Sequence, residues 1–352
     1  VKPILITGGA GFVGTNTADR LLREGRRVRI LDDLSRPGVE RNLQWLQAMH
    51  GDQLEVEIAD LRDAHAVEGA VRGVGGVFHF AAQVAVTTSL DDPMADAAVN
   101  LQGTLNLLEA ARHRPRPPAI VFTSTNKVYG SLPDIELVEG EQRYEPADPR
   151  LRASGIGEDR PLAFCTPYGC SKGAADQYVL DYGASFGLPT VVFRMSCIYG
   201  PHQFGTEDQG WVAHFLISAV DGRPITIYGD GKQVRDVLFV EDLVDALLIA
   251  QDRAPELRGQ AFNMGGGPSS AISLLELIAE ITALRGEQPP VSMEAWRKGD
   301  QRYYVSDPSR FGALTGWRPT VAPAEGLRRL HDWLADERSA GRGGVAAEEA
   351  AA

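Results

Sequence analysis

Along the first half of the chain, short apolar runs alternate with stretches whose apolar residues recur every third or fourth position. Pro3 to Thr7 is apolar and ends in glycines, which suits a strand buried on both faces. The stretch after Gly11 keeps Val13, Ala18 and the Leu21-Leu22 pair on one side, the pattern of a helix, and Gly25 closes it. Further strands are predicted at Arg27 to Leu31, Leu54 to Ile58, Gly76 to Phe80, Ala119 to Thr123 and Thr190 to Met195. Long helical patterns cover about Met94 to Arg112 and Pro167 to Phe186.

Strands alternating with helices imply a parallel, doubly wound α/β sheet, in which ligands lie beyond the carboxyl ends of the strands. The polar and glycine-bearing sequences sit at those ends: the first glycines, Asp32, Asp60, Ala81-Ala82, Thr125 and Ser196. The segment Ser131 to Ala163 is long, polar and rich in Pro, Gly and Glu, and a flap over a substrate is the expectation for it. After Cys197 the alternation blurs. Ile225 to Tyr228, Gly265-Gly266-Gly267 and a helix from Ser273 to about Arg285 suggest a smaller cap domain. The end, 336–352, is Gly, Ala and Glu without an apolar stripe and is expected to be disordered.

The chain has 352 residues, 43% of them hydrophobic, which is ample for one large or two interleaved domains. Lys and Arg total 35 against 47 Asp and Glu, a formal charge of −12, so binding to nucleic acid or to an anionic membrane is not expected. A nucleotide ligand stays open, since a helix N-terminus binds phosphate locally. The cysteines Cys165, Cys170 and Cys197 read as reduced thiols, and no His or Cys spacing fits a metal site. No apolar run reaches the ~20 residues needed to span a bilayer, and the first residues run straight into a strand without a signal-peptide layout, so a soluble cytoplasmic protein is expected.

Gly8, Gly11 and Gly14 follow the first strand and open the first helix. In that context glycines let backbone N–H groups approach a pyrophosphate at the helix N-terminus. Asp32 ends the second strand, where an acid accepts hydrogen bonds from an adenosine ribose and disfavours a 2′-phosphate, so NAD is expected rather than NADP. Asp33 either shares that role or is a solvated neighbour. Asp60-Leu61 either contacts the adenine or is an ordinary strand-end turn.

Tyr168 and Lys172 are one helical turn apart and face the same way. A tyrosine of ordinary pKa, ~10, is a poor base at neutral pH, and a nearby ammonium together with an oxidised nicotinamide ring favours the phenolate. Thr125 offers a short hydroxyl that bonds to a reacting oxygen both as alcohol and as carbonyl. Side chains alternate along a strand, so Thr123 shares its side and Ser124 points away.

The glycine motif, Thr125, Tyr168 and Lys172 together resemble the extended short-chain dehydrogenase/reductase family, its nucleotide-sugar epimerases and dehydratases, from about Pro3 to Trp333. Within it, Ser124-Thr125-Asn126-Lys127-Val128-Tyr129-Gly130, Ser171-Lys172-Gly173-Ala174-Ala175-Asp176-Gln177-Tyr178 and His202-Gln203-Phe204-Gly205-Thr206-Glu207-Asp208-Gln209-Gly210-Trp211-Val212 are similar to a branch that inverts C2 of a CDP-linked hexose. His202 is a departure, where the resemblance leads one to expect arginine.

The resemblance implies a Rossmann-type NAD-binding domain over 1–196, with a return segment near 236–263, and a smaller C-terminal domain, mainly 197–335, that binds substrate. It places the cofactor against Gly8, Gly11, Phe12, Val13, Gly14, Asp32, Asp33, Leu34, Ser35, Arg36, Asp60, Leu61, Ala81, Ala82, Gln83, Asn100, Thr123, Tyr168 and Lys172. It makes Thr125, Tyr168 and Lys172 catalytic. It assigns substrate contacts to Thr125, Asn126, Lys127, Cys197, Gln203, Phe204, Gln209, Gly210, Val212, Tyr228, Arg235, Asp300 and Arg302. Arg235 matches a diphosphate-binding arginine. Phe204 is either pocket or core, and Lys127 either functional or a salt-bridge partner. Asn126-Lys127 stand where 4,6-dehydratases carry Asp and Glu, and an amide and an ammonium cannot do that acid–base work. The implied reaction is NAD-dependent epimerisation at C2 of a CDP-hexose. An epimerase or decarboxylase acting at C4 through the same three residues is the alternative. The long helices near 94–112 and 167–186 are where the family pairs subunits, so a homodimer or homotetramer is expected.

Overall fold

A computed structural model describes residues 2–297 and 299–351, with side chains through 339. The amino-terminal half runs β1 (Ile4–Thr7), α1 (Phe12–Arg23), β2 (Val28–Asp32), α2 (Val39–His50), β3 (Leu54–Ile58), α3 (Ala64–Val71) and β4 (Gly76–His79). It continues with α4 (Val86–Asp91), α5 (Pro93–Ala97), a π turn at Ala98–Gln102, α6 (Gly103–Arg112) and β5 (Ala119–Thr125). The helical pattern expected over 94–112 is therefore broken by the π turn, a feature that recurs at functional sites.

The segment 131–163 is not a loose flap. It forms a hairpin of β6 (Leu137–Glu139) and β7 (Tyr144–Pro146) followed by α7 (Pro149–Ser154). Arg143 reaches Glu276 at 2.5 Å, Lys232 reaches Glu139 at 2.7 Å, and Ile156 N–H donates to the Val305 carbonyl. Its polar residues are thus spent on fixed partners in the second half of the chain.

Then come α8 (Thr166–Ser185), β8 (Thr190–Met195), β9 (Cys197–Tyr199), α9 (Trp211–Val220), β10 (Ile225–Tyr228), β11 (Val234–Phe239), α10 (Val240–Asp252), α11 (Ala254–Leu257) and β12 (Gln260–Met264). The chain closes with β13 (Ala271–Ser273), α12 (Leu274–Arg285), β14 (Val291–Glu294), β15 (Tyr303–Tyr304), α13 (Ser309–Thr315) and α14 (Pro323–Ala351). The start of α12 is written in its sequence: Ser273 accepts from Glu276 N–H at 3.1 Å and Glu276 accepts from Ser273 N–H at 2.8 Å, a reciprocal cap. The 336–352 stretch, expected to be disordered, continues α14 as far as Ala351. Its Ala and Glu residues favour a helix intrinsically, and the side chains of 340–352 lie outside the described residues.

Seven parallel strands form the main sheet in the order β12-β8-β5-β4-β1-β2-β3. Alternate side chains of β1 feed opposite cores. Ile4 and Ile6 join the layer of α1, α2 and α10, and Leu5 joins the layer of α3, α6 and α8. Strand order reverses between β1 and β4, which opens a crevice beyond their carboxyl ends. A second group of strands, β9, β11, β13 and β15, and the pair β10 and β14 pack with α9, α12 and α14 around their own core.

One carboxylate joins the parts. Asp236, fully buried on β11, accepts from Ser196 Oγ at 2.5 Å, from Gly267 N–H at 3.0 Å and from Ser306 Oγ. Among the described residues no helix is long and apolar enough to cross a membrane.

Candidate active site at the carboxyl edge of the sheet

The crevice is floored by the glycine turn. Gly8 has φ +69°, a left-handed value that favours glycine, and a side chain there would strike the Ala81 backbone at 2.7 Å. A Cβ on Gly14 would collide with the Gly8 carbonyl and Gly9 Cα, so Gly14 lets α1 sit on the turn. A Cβ on Gly11 makes one tight contact, with the Gly8 carbonyl at 3.1 Å, and meets nothing else within 4 Å. Gly11 caps α1 without a side-chain acceptor, and no acid stands in the first turn, which leaves N–H donors and a positive helix end facing the opening.

Asp32 stands beside them, its carboxylate accepting from Ala10 N–H and Leu34 N–H, both at 2.9 Å. Burial raises its pKa above the ordinary carboxylate value, against the pull of those two N–H groups. Asp33 and Ser35 are exposed, and Asp33 accepts from Ser35 N–H. Asp60 is engaged by Arg62 at 2.6 Å, which pulls its pKa down, and Leu61 is core. Gln83 Oε1, Thr87 Oγ1 and Ser124 Oγ are buried without a protein partner. Open glycines at a helix start, a ribose-ready acid and these unpaired polar atoms fit a dinucleotide.

Thr125 ends β5 and caps the following 3₁₀ turn, accepting from Lys127 N–H at 3.2 Å. The turn fixes its hydroxyl, which bears on the Tyr168 phenol. Burial takes Tyr168 up to about 12, further helped by Asp96, and the Thr125 hydroxyl offsets this only in part. Tyr168 and Lys172 both lie near the start of α8, where Tyr168 N–H donates to Ser89 Oγ at 3.2 Å. Lys172 Nζ donates to the Thr123 carbonyl at 2.7 Å and lies 4.1 Å over the Phe122 ring. Burial lowers Lys172 to about 7, opposed by Asp176 and Asp96. The protein alone therefore does not make a phenolate of Tyr168, because burial works against the charged form of both Tyr168 and Lys172.

Asn100 is held by partners within the protein. It is 1% exposed, its amide donates to Asp96 and Ser171, and its carbonyl accepts from Gln83 N–H at 2.9 Å, so it braces the crevice wall. Thr123 turns its hydroxyl to the His79 carbonyl and gives only its own carbonyl to the site.

Lys127, Arg235 and Asp300 come together. Arg235 meets Asp300 at 2.7 Å, Lys127 lies 3.9 Å from the same oxygen, and burial then Arg235 lowers Lys127 to about 8. Asn126 is buried beside Thr125. Cys197 accepts from the Trp211 indole at 3.2 Å. Tyr228 donates to Glu207 and lies 3.8 Å under the Arg297 guanidinium, and Arg302 is exposed between Tyr144 and Trp296.

Three residues expected at the substrate have packing or internal contacts in the structure. Val212 sits in the core of the second group, 3% exposed. Phe204 packs on Gly38, Arg41 and Trp333. Gln203 donates inward to the Ile198 carbonyl. His202, where arginine was expected, packs between Trp45 and Trp333 with tilted rings, centroids 4.2 and 5.3 Å away.

Sequence reading missed Asp96 and the buried pair of Asp176 with Arg194, at 2.9 and 3.0 Å, whose guanidinium also donates to Tyr129 Oη at 3.2 Å. The Asp176 position one turn beyond Lys172 was a readable signal. Asp96 was harder to read, because Ser171, which ties it to α8, lies 75 residues away.

Residues 4–265 match the NAD dependent epimerase/dehydratase family. The chain is 42% identical to CDP-paratose 2-epimerase of Salmonella typhi, over 94% of this chain and 98% of that one. It is 35% identical to UDP-glucose 4-epimerase of Mycolicibacterium smegmatis, over 94% and 97%. It superposes on the crystal structure of Thermus thermophilus UDP-glucose 4-epimerase in complex with NAD with a TM-score of 0.79 at 33% identity, covering 94% of this chain and 98% of that one.

Proposed function

The chain belongs to the NAD dependent epimerase/dehydratase family, and we propose that it is a nucleotide-sugar 2-epimerase acting on a CDP-hexose, interconverting CDP-paratose and CDP-tyvelose or close analogues. Residues 1–196 with the return segment 236–263 carry the cofactor in this reading, 197–335 hold the nucleotide sugar, and the protein works as a homodimer or homotetramer. Bound NAD supplies a hydride acceptor that becomes the donor within the same turnover, and its positive ring favours the Tyr168 phenolate that burial opposes.

Tyr168 accepts the C2 hydroxyl proton as the hydride leaves C2. Thr125 donates to the carbonyl oxygen of the resulting 2-keto sugar, where charge collects. The sugar turns about its diphosphate, which Arg235 holds once Asp300 releases it. Hydride returns to the opposite face and Tyr168 gives its proton back.

The observation that carries this reading over dehydration is Asn126-Lys127 directly after Thr125. The first is a buried amide and the second a lysine turned to Asp300, so the Asp-Glu acid–base pair of a dehydratase is missing. The C4 alternative shares every residue named. Incubation with CDP-, GDP-, UDP- and dTDP-hexoses, followed by borodeuteride trapping and NMR, separates the two. Deuterium at C2 of a CDP-sugar is expected, and deuterium at C4 would replace this reading.

A further inference from the structure

Asp96 is a buried acid that the proton transfer above does not use, 1% exposed on α5. It faces the start of α8. Ser171 Oγ donates to one of its oxygens at 2.5 Å and Asn100 Nδ2 to the other at 3.1 Å, while Asn100 also donates to Ser171 Oγ at 3.0 Å. Burial raises the Asp96 pKa, and the Ser171 hydroxyl bond and the Lys172 charge oppose that rise in favour of the carboxylate.

The other charges around α8 are accounted for. Asp176, on α8 itself, is held at two points by Arg194 from β8. On β4, burial keeps the His79 ring neutral. Lys127, from the turn after β5, points to Gly299 and Asp300. Asp91 on α4 is exposed, and Glu109 on α6 is taken by Arg112 and Tyr182 toward the other end of α8. Asp96 has neutral hydrogen-bond donors only among the described residues, and the cation that bears on it is Lys172. Both Tyr168 and Lys172 feel its charge.

We propose that Asp96 is a positioning residue for the proton-transfer pair. Through Ser171 it fixes the turn of α8 that carries Tyr168 and Lys172, and its charge keeps Lys172 an ammonium and makes Tyr168 a firmer proton acceptor. The proposal rests on the Tyr168–Lys172 reading above and adds to it the group that sets the working pH. Loss of the charge lets both members of the pair deprotonate more readily, so both limbs of the pH profile move toward acid.

The test uses the NAD-bound enzyme and its Asp96→Asn, Asp96→Glu, Ser171→Ala and Tyr168→Phe variants. The near-ultraviolet absorbance of phenolate is titrated, with Tyr168→Phe subtracted to isolate Tyr168, and kcat is followed against pH. In Asp96→Asn the Tyr168 midpoint and the kcat profile are expected to move down by about one pH unit, with recovery in Asp96→Glu. Ser171→Ala keeps the charge, so kcat falls while the midpoint stays. Asp96→Ser carries the same expectation as Asp96→Asn and decides the matter if the latter does not fold. A neutral variant with lower kcat and an unmoved midpoint overturns the proposal, as does a midpoint in Ser171→Ala that moves as far as in Asp96→Asn. Full activity in Tyr168→Phe would instead remove the reading underneath it.

Discussion

The Lys172 ammonium donates to the Thr123 carbonyl at 2.7 Å, which pins the second turn of α8 to the end of β5. One side chain thus sets the register between the strand that presents Thr125 and the helix that presents Tyr168. Lys172→Met, similar in length and apolar, should fold with a melting temperature close to the wild type, because the cost of burying a cation disappears with the cation. Its kcat should fall by about 10²–10⁴-fold, the usual worth of a positioned proton-transfer group. Steady-state kinetics and a thermal melt on one preparation check this. Turnover within a few fold of wild type would sever the lysine from the chemistry.

Two glycines of the same turn should respond differently. Gly14→Ala drives a Cβ into Gly9 Cα, 2.6 Å away, and should destabilise the fold by about 1–3 kcal/mol. Gly11→Ala meets only one carbonyl at 3.1 Å and should melt almost normally. Its methyl group occupies the open face of the turn, so purified protein should retain much less NAD. Denaturation curves and the NAD released by acid precipitation report the two effects separately. Full NAD retention in Gly11→Ala would count against pyrophosphate on that face.

Arg194 and Asp176 form a buried ion pair with side chains 6% and 0% exposed. Arg194→Met strands the carboxylate and should cost about 3–5 kcal/mol in urea denaturation. The double variant Arg194→Met with Asp176→Asn should recover part of that loss, since no buried charge then lacks a partner. Equal stability of the single and double variants would refute the coupling.

Burial holds the His79 ring neutral, down to about 3 against an unfolded value of about 6.5. Between those limits the unfolded chain binds a proton that the folded chain refuses. The contribution is therefore complete above about pH 6.5 and is lost as pH falls toward 3, by about 1.4 kcal/mol per pH unit. His79→Gln removes this proton. It loses the bonds to Thr7 and Thr104, so it starts less stable, but the gap to wild type should narrow between pH 7 and pH 5. Parallel stability curves in urea would show that His79 does not titrate on unfolding.

Six of the seven strands of the main sheet were legible as short runs carrying apolar residues, whereas β12 was not predicted. Leu54–Ile58 and Thr190–Met195 fall where the pattern puts them. The reactive trio was legible because Thr125 ends such a strand and Tyr168 and Lys172 share a helical face. The π turn at 98–102 was hidden because no residue type marks a change of helical pitch. The hairpin within 131–163 was hidden for a different reason. Its ordering comes from partners such as Glu276 and Lys232, more than 90 residues on, and local polarity points the other way. The packing roles of Phe204 and His202 have the same origin, since Trp333 lies far along the chain.

The three donors gathered on Asp236 come from the segments after β8, after β12 and after β15. Swinging the two halves apart like a clam would strip them from a buried carboxylate at about 1–3 kcal/mol each. By contrast, the surface ion pairs of Arg297 with Glu207 and Asp208, at 3.3 and 3.5 Å, cost little to break.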